Sequence, residues 1–281
     1  MPMDGKLYIV GTPIGNLEDI SLRVKRTLNE VDLIFAEDTR VSIKLMSHLG
    51  ISKTLVSCHD FNEAGRINEL KKHAEASHSI ALISDAGMPL VSDPGYKLVQ
   101  AAISFGMQII AIPGPSSVLS ALVGSGLPCE RFAFEGFLPD KSGERRKRLE
   151  RIKDDDRTQI FFLPITDIPK VLPDILEVMG NRPAALCREL TKLHEEYIRA
   201  SVKDILEIAK TRQLKGECVF VLAGSSKEAE LMSKEELSER LESMLSAGAR
   251  LKDAAGLLAR ESGWASSDIY KIGIKLRDQN D

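Results

Sequence analysis

The feature that most constrains the fold of this chain is residues 80–95, IALISDAGMPLVSDPG, where an apolar run gives way to a polar loop. Residues 80–83 are all apolar, which is typical of a strand buried on both faces of a parallel sheet. Ligands of open α/β sheets bind beyond the carboxyl ends of such strands. An ordinary βα connection is the alternative, but a loop so long and rich in Asp, Gly and Pro favours a binding site. The segment therefore indicates an α/β enzyme or ligand-binding protein.

Size and composition limit the remaining possibilities. The 281 residues are enough for two domains, and a content of 43% hydrophobic and 28% charged residues is typical of a globular protein. The net charge of −3 gives no overall attraction to nucleic acid, so an RNA-binding surface must be a local patch. We expect neither a signal peptide nor a membrane span. The widely spaced cysteines and histidines predict no metal site, and reduced thiols favour a cytoplasmic protein.

The order of predicted elements divides the chain into three parts. Over residues 1–115, short apolar runs alternate with amphipathic stretches, which predicts an α/β domain with a parallel sheet. A second α/β domain is predicted over residues 116–225. Residues 226–281 are predicted to form a small helical unit, in which Ser233 is an N-cap and Glu236 its capping-box partner. Its helix-turn-helix pattern fits a direct RNA contact and a small capping or dimer element equally well.

Three loops follow predicted strands of the first domain and carry residues suited to a ligand. The first, GTPIGN at residues 11–16, has glycines that allow close backbone approach, but it matches neither the dinucleotide-binding nor the Walker A spacing. In the second, Asp85 can accept hydrogen bonds from a ribose or an amine, whereas Asp93 is predicted to cap the next helix. The third, IPGPSS at residues 112–117, offers serine hydroxyls, but no histidine in a comparable loop would activate them as nucleophiles.

Six segments together resemble one protein family. They are GTPIGNLEDIS (11–21), AEDTR (36–40), SDAGMPLVSDPG (84–95), IPGPSS (112–117), FEGFLP (134–139) and RELTKLHEE (188–196). These segments resemble the tetrapyrrole-methylase superfamily, and more closely its branch of ribosomal RNA small subunit methyltransferases I, over about residues 5–274. The AEDTR segment and the long second loop are the signals most specific to the branch.

The resemblance implies a fold, a cofactor and a set of contacts. S-adenosylmethionine would bind in a cleft between two α/β domains, and the protein would be a homodimer. The residues implied to bind the cofactor are Gly11, Pro13, Gly15, Asp85, Gly87, Met88, Ser116, Ser117 and Leu163. At residues 162–167, FLPITD, the branch usually has tyrosine, glutamate, serine, proline, histidine and arginine. This chain therefore departs from the branch by lacking the acidic residue, the histidine and the arginine of that loop.

The resemblance also implies a substrate. The branch is similar in function to enzymes that methylate the ribose 2′-hydroxyl of a cytidine in the decoding region of small-subunit (16S) rRNA. The implied partner is that rRNA, within the 30S subunit. A C-methyltransferase acting on a tetrapyrrole precursor is the first alternative, and a non-enzymatic RNA-binding module is the second. A small macrocycle needs neither a basic helix nor a C-terminal helical unit, which favours RNA.

Charged residues in two of these segments are the candidates for chemistry on RNA. A ribose hydroxyl is a weak nucleophile at neutral pH, so a base or a nearby cation should assist its attack. We expect Asp38 or Glu189 to act as base or orienter, with Lys192 as a third catalytic candidate. The residues expected to hold phosphate are Arg40, Arg188 and Lys192. For each of them the alternative is a solvated loop or a surface ion pair.

A basic stretch in the second domain is the clearest signal for RNA. Residues 141–153 carry seven basic and two acidic side chains in a chain that is acidic overall. Such a patch is suited to the phosphate backbone, and we expect Arg145, Arg146 and Arg148 to contact it. A helix face that is merely solvated is the alternative.

Overall fold

The computed structural model describes residues 5–59, 62–225, 232–262 and 264–278. They divide into two compact units, the first comprising Met1–Lys153 and Arg157–Ala223, the second Asp154–Asp156 and Gly224–Asp281. The predicted boundary at residues 115 and 116 falls inside the first unit, between a strand and a helix. Among the described residues, none of the helices has the length and hydropathy needed to cross a membrane.

The first half of the first unit is a parallel sheet with helices on both faces. Its strands are β1 (Lys6–Val10), β2 (Leu33–Ala36), β3 (Leu55–Ser57), β4 (Ser79–Ile83) and β5 (Gln108–Ile112). They lie in the order β3-β2-β4-β1-β5, and every pairing is parallel. The connecting helices are α1 (Leu22–Glu30), α2 (Thr39–Leu49), α3 (Glu63–Glu75) and α4 (Tyr96–Ser104). The parallel sheet predicted from the alternation of apolar runs is confirmed.

The helices of this half are placed by their apolar stripes. Val24 and Leu28 of α1 share one core with Leu45 and Met46 of α2, on one face of the sheet. The other face carries α3 and α4, whose apolar side chains belong to a separate core. Right-handed crossovers produce this division, because the chain steps towards β3 through α1 and α2 and returns through α3 and α4. Consequently α1 and α2 lie on the same face, and both begin at the carboxyl edge of the strands.

The second half of the first unit is a mixed sheet. Its strands are β6 (Phe132–Phe137), β7 (Thr158–Phe162), β8 (Pro183–Arg188), β9 (Glu196–Ser201) and β10 (Cys218–Leu222), in the order β6-β7-β10-β8-β9. Only β6 and β7 pair in parallel. Helix α5 (Ser117–Ser125) covers one face, while α6 (Ser142–Ile152), α7 (Ile168–Met179) and α8 (Val202–Thr211) cover the other. Strand β9 was not foreseen from the sequence.

The direction of β10 decides which loops of this sheet meet. It runs antiparallel to both neighbours, with Val219 opposite Phe162 of β7 and Cys218 opposite Arg188 of β8. The segment entering β10 therefore lies at the same edge as the segments leaving β7 and β8.

The second unit contains the C-terminal helices, α9 (Lys234–Ser246), α10 (Leu251–Ser262) and α11 (Ser266–Asp278). Leu237 and Leu241 of α9 pack with Leu258 of α10 and Ile269 of α11 in a small core. Ser233 caps α9 by accepting a hydrogen bond from the Glu236 N–H (3.1 Å), as predicted. The predicted start of this unit at residue 226 lies outside the described residues.

Candidate active site

Three loops at the carboxyl edge of the parallel sheet are joined by backbone hydrogen bonds. In the first and second loops, the Thr12 N–H donates to the Gly87 carbonyl (2.9 Å) and the Gly87 N–H donates back to Thr12 (3.1 Å). The Thr12 hydroxyl also donates to the Ser84 carbonyl (3.1 Å). The Gly11 N–H donates to the Ile112 carbonyl (3.1 Å), which links the first loop to the third. The loops named from the sequence therefore form one continuous wall.

The contact between the first and third loops requires glycine. A Cβ added to Gly11 would lie 2.7 Å from the Cα of Gly114 and 2.7 Å from the Met88 sulfur. A Cβ on Gly114 would in turn lie 2.8 Å from the backbone of Gly11. The two backbones are thus in van der Waals contact, with the Met88 thioether beside them.

The AEDTR segment interlocks with the second loop. The Asp38 N–H donates to Asp85 Oδ1 (3.1 Å), and the Asp85 N–H donates to Glu37 Oε2 (3.2 Å). The Asp38 carboxylate binds Arg40 through two guanidinium nitrogens, the shortest contact being Nη2–Oδ2 at 2.6 Å. These hydrogen bonds lower the pKa of Asp38 to about 2, whereas burial raises that of Asp85. A carboxylate with so low a pKa is a weak base, so the geometry favours Asp38 as an orienter of Arg40.

A cavity of about 650 Å³ lies where this wall meets the edge of the mixed sheet. From the first wall it is lined by Ile14, Ala86, Asp93 and Ser117. From the mixed sheet it is lined by Phe137, residues 162–166, Cys187, Leu190, Lys192 and residues 214–219. Burial raises the pKa of the Cys187 and Cys218 thiols to about 12, so both are neutral groups of the wall. The cavity thus combines apolar walls with a few charged side chains.

Lys192 is one of two lysines that line this cavity, the other being Lys215, and two carboxylates hold it. Its Nζ donates to Glu189 Oε1 (3.1 Å) and to Glu217 Oε2 (3.0 Å). Burial alone would lower the pKa of Lys192, but these hydrogen bonds raise it, so the ammonium stays charged at neutral pH. The Glu217 N–H donates to Glu189 Oε1 (3.0 Å), and this bond lowers the pKa of Glu189. Glu189 and Thr191 have positive φ (50° and 64°), a strained backbone that brings the lysine into place.

Comparison with known proteins identifies the family. Residues 6–206 match the family model described as Tetrapyrrole (Corrin/Porphyrin) Methylases. The chain belongs to the tetrapyrrole methylase family.

Curated relatives of this tetrapyrrole methylase are similar over most of the chain. "Ribosomal RNA small subunit methyltransferase I" of Halalkalibacterium halodurans is 42% identical over 272 residues, covering 95% of this chain and 94% of the relative. The protein of the same name from Thermotoga maritima is 44% identical over 220 residues, covering 78% and 99%. That of Escherichia coli O157:H7 is 40% identical over 274 residues, covering 96% and 95%. The family and branch that the sequence motifs resemble are therefore confirmed.

Solved structures share the fold at low sequence identity. Uroporphyrin-III C-methyltransferase from Thermus thermophilus, complexed with S-adenyl homocysteine, superposes with a TM-score of 0.56 at 19% identity, covering 78% of this chain and 97% of that one. Diphthine synthase gives a TM-score of 0.58 at 16% identity, covering 78% and 89%. The predicted tetrapyrrole-methylase fold is confirmed.

The residues that the resemblance implied as cofactor contacts surround the cavity to different degrees. Ser117 and Leu163 line it directly. Ser116 is the N-cap of α5, accepting a hydrogen bond from the Leu119 N–H (3.4 Å). Gly15 lies against Lys192 and Thr191, with no room for a Cβ. The others, Gly11, Pro13, Asp85, Gly87 and Met88, belong to the loops that form the wall. Their contacts with a cofactor stay a prediction.

The predicted helix cap at Asp93 is wrong. Helix α4 begins after Gly95, whose φ of +118° no side chain favours, and it has no side-chain cap. Asp93 instead lines the cavity and hydrogen-bonds Ser84, and burial raises its pKa. Leu90 and Ser92 in the same loop have positive φ (75° and 66°).

Helix α6 forms as predicted, but most of its cations have internal partners. Arg145 is only 4% exposed, and its guanidinium binds Asp174 of α7 (Nη2–Oδ2 2.6 Å). Arg146 pairs with Asp174 (2.7 Å) and Arg148 with Glu135 (2.8 Å). The prediction that Arg145 contacts phosphate is corrected here, because a guanidinium so enclosed cannot reach a polyanion. Arg146 and Arg148 are about two-fifths exposed, and their phosphate contacts stay a prediction.

The two other arginines expected to hold phosphate differ in their availability. Arg188 donates to Glu196 (Nη1–Oε2 3.1 Å) and to the Lys215 carbonyl (Nη2, 2.8 Å), and its side chain is 15% exposed. It therefore connects β8 to β9 and to the segment entering β10. Arg40, in contrast, is 88% exposed at the start of α2.

The segment at residues 214–217, which enters β10, is a part of the site that the sequence did not reveal. It lines the cavity and supplies Glu217, one of the two carboxylates on Lys192. In the sequence, Lys215 and Gly216 precede the strand predicted at residues 217–223, and Glu217 is its first residue. Only the antiparallel direction of β10 brings them to the cavity edge.

Replacing Gly216 by alanine should lower activity by disturbing the carboxylate that holds Lys192. A Cβ at this position would overlap the Glu189 carboxylate, and φ is +94°. We expect methyl-transfer rates to fall roughly tenfold or more, with a loss of about 1–3 kcal/mol in the free energy of unfolding. Gly50→Ala is the matched control, because φ is +68° but nothing lies within 4 Å of its Cβ. The Gly50→Ala protein should be less stable but keep the wild-type rate of methyl transfer. If both variants lost the same fraction of that rate, the role of Gly216 would be contradicted.

Proposed function

We propose that this protein transfers a methyl group from S-adenosylmethionine to the ribose 2′-hydroxyl of a cytidine in the decoding region of small-subunit rRNA. The observation that carries the proposal is the cavity between the glycine-rich wall and the Glu189–Lys192–Glu217 cluster. The names of the curated relatives support rRNA as the substrate class. A neighbour that shares the fold is complexed with S-adenyl homocysteine, which supports the cofactor.

The residues present fit S-adenosylmethionine. A volume of about 650 Å³ is within the usual range for a pocket that encloses a small molecule. Phe162, Leu163 and Ile165 offer an apolar wall for a heteroaromatic base. Asp93 and Ser117 offer oxygen atoms for a ribose or an ammonium group. This chain lacks the acidic residue and the histidine that the branch usually has at residues 163–167. Asp93 and Ser117 supply polar groups to the same cavity.

The chemistry asks the protein for alignment and charge stabilisation. When bound, S-adenosylmethionine supplies an electrophilic methyl group on a sulfonium. The rigid loops at Gly11 and Gly114 hold one side of the cavity fixed, which favours an in-line approach of the acceptor oxygen. Lys192, charged and held by two carboxylates, stabilises the negative charge that develops on that oxygen. Asp38 holds the exposed Arg40 beside the second loop, where it can contact a substrate phosphate.

Methyl-transfer assays test this proposal directly. The protein is incubated with labelled S-adenosylmethionine and either 30S subunits, free 16S rRNA or a tetrapyrrole precursor. We expect label in a 2′-O-methylcytidine. Label in the macrocycle would establish the C-methyltransferase alternative, and tight cofactor binding with no transfer to any acceptor would establish a binding module.

Lys192→Met should lower kcat by roughly two orders of magnitude, since one group that stabilises transition-state charge is removed. The dissociation constant for S-adenosylmethionine should stay within a few-fold of the wild type. Lys203→Met, on an exposed position of α8, is the matched control and should change neither value. A Lys192 variant with normal kcat would exclude this lysine from catalysis.

We further propose a cytoplasmic homodimer that acts on the 30S subunit. Helix α5 leaves Leu119 and Val123 51% and 73% exposed, which suits a contact with a second copy. Sedimentation equilibrium of the wild type and of Val123→Asp tests the dimer.

A further inference from the structure

Helices α1 and α2 of the first unit present a cluster of exposed cations. Together these helices carry five Lys or Arg side chains and a single carboxylate, Glu30. The cations are Arg23, Lys25, Arg26, Arg40 and Lys44, and all five are exposed. We call this surface the α1–α2 face.

Four of the five cations of this face are available to a ligand, in contrast to most of those on α6. Among the described residues, Arg23, Lys25, Arg26 and Lys44 form no side-chain ion pair. On α6 and its flanks, carboxylates of the same unit neutralise Lys141, Arg145, Arg146, Arg148 and Lys153. The exposed α6 cations outside these pairs are Lys147 and Arg151. A surface whose charges are not neutralised internally attracts a polyanion more strongly, because it exchanges only counterions for the new partner.

The face also adjoins the cavity. Both helices begin at the carboxyl edge of the parallel sheet, where the cavity lies. Arg40 binds Asp38, whose N–H is held by Asp85 of the second loop. Lys44, one turn further along α2, is close enough to lower the pKa of Asp38, after the larger effect of Arg40. The cations therefore begin beside the second loop, whose Ala86 lines the cavity, and continue along two helices of the same face.

We propose that the α1–α2 face binds the phosphate backbone of the RNA substrate next to the methylated nucleotide. This inference rests on the proposed function and adds the docking surface to it. Long, flexible cations on two adjacent helices suit successive phosphates and carry no base specificity. The face then supplies affinity and register, while the cavity supplies the chemistry.

The test compares two triple variants with equal change in charge. Arg23→Gln/Lys25→Gln/Arg26→Gln removes three of the five positive charges of the face, and Lys71→Gln/Lys72→Gln/Lys203→Gln removes three exposed charges on α3 and α8. Affinity for a 16S rRNA fragment and for 30S subunits is measured against salt concentration. We expect the first variant to bind roughly tenfold more weakly per lost phosphate contact, and its salt slope to fall by roughly 2–3. The control should keep the wild-type slope.

Activity separates this inference from the proposed function. The first variant should show a raised KM for RNA with unchanged kcat and unchanged affinity for S-adenosylmethionine. Lys44→Gln, tested alone, should lower the salt slope by roughly one. If the wild type methylates RNA but both variants keep its slope and KM, the α1–α2 face is overturned while the function stands. An equal loss of RNA affinity in the control triple variant would also overturn it. A loss of affinity for 30S subunits but not for free rRNA would overturn it too, because it would indicate a contact with a ribosomal protein. A wild type that transfers no label to RNA overturns the function itself.

Discussion

Gly11→Ala is expected to weaken binding of S-adenosylmethionine roughly a hundredfold or more, although it adds only one methyl group. The new Cβ would lie 2.7 Å from the Cα of Gly114 and 2.8 Å from its backbone nitrogen, so neither neighbour can yield by rotating a side chain. The first and third loops must move apart, which also displaces the Thr12–Gly87 hydrogen bonds. Forcing an extra methyl group into a packed contact costs about 1–3 kcal/mol, and a hundredfold loss of affinity corresponds to about 2.7 kcal/mol. Isothermal titration with the cofactor measures it.

Gly143→Ala is the matched control for this substitution. Gly143 lies in α6, and nothing is within 4 Å of its added Cβ. Alanine there should raise the free energy of unfolding by about 0.4–1 kcal/mol, since it restricts the unfolded chain without strain. Cofactor affinity should not change. A Gly11→Ala protein that binds the cofactor as the wild type does would show that these loops are not the cofactor wall.

The predictable part of the site follows from the parallel sheet. Apolar runs such as residues 80–83 reveal buried strands, and the carboxyl ends of parallel strands share an edge. The meeting of the loops at Gly11, Asp85 and Ser116 could therefore be expected without a structure. The mixed sheet gave no such guide, because β9 (EYIRAS) is polar and only one of its residues is fully buried. Without β9 the direction of β10 cannot be deduced from the sequence. The position of residues 214–217 at the cavity therefore cannot be predicted either.

Charge patterns in the sequence were less informative than hydrophobic patterns. The cations of α6 look available for RNA in the sequence. Asp174, which pairs with Arg145, lies 29 residues away along the chain, so this ion pair forms only through tertiary packing. The cations of α1 looked unremarkable in sequence, since acidic residues flank them on both sides. A local sequence count cannot separate a neutralised cation from a free one.

Asp174→Ala is expected to cost about 3–5 kcal/mol of the free energy of unfolding, because it leaves a buried guanidinium without its counter-ion. Asp174 is 3% exposed, and it accepts hydrogen bonds from Ser142, Arg145 and Arg146. Urea unfolding measures the change. Glu177, the other partner of Arg146, has a side chain that is 60% exposed. Glu177→Ala should therefore lower the free energy of unfolding by about 1 kcal/mol or less. If Asp174→Ala lowered the free energy of unfolding by no more than Glu177→Ala does, water would have to reach the Arg145 guanidinium in solution.

The same cluster should make stability depend on pH in acid. Burial alone would raise the pKa of Asp174, but hydrogen bonds from Arg146, Ser142 and Arg145 outweigh it and hold the pKa below its usual value of 3.8. A carboxyl group with a lowered folded-state pKa binds fewer protons folded than unfolded, so its stabilisation is complete above pH 3.8 and is lost as pH falls through the folded-state pKa. The stability difference between wild type and Asp174→Ala should therefore be constant at neutral pH and shrink below about pH 4. A difference that persists unchanged into strong acid would mean that Asp174 acts through packing alone.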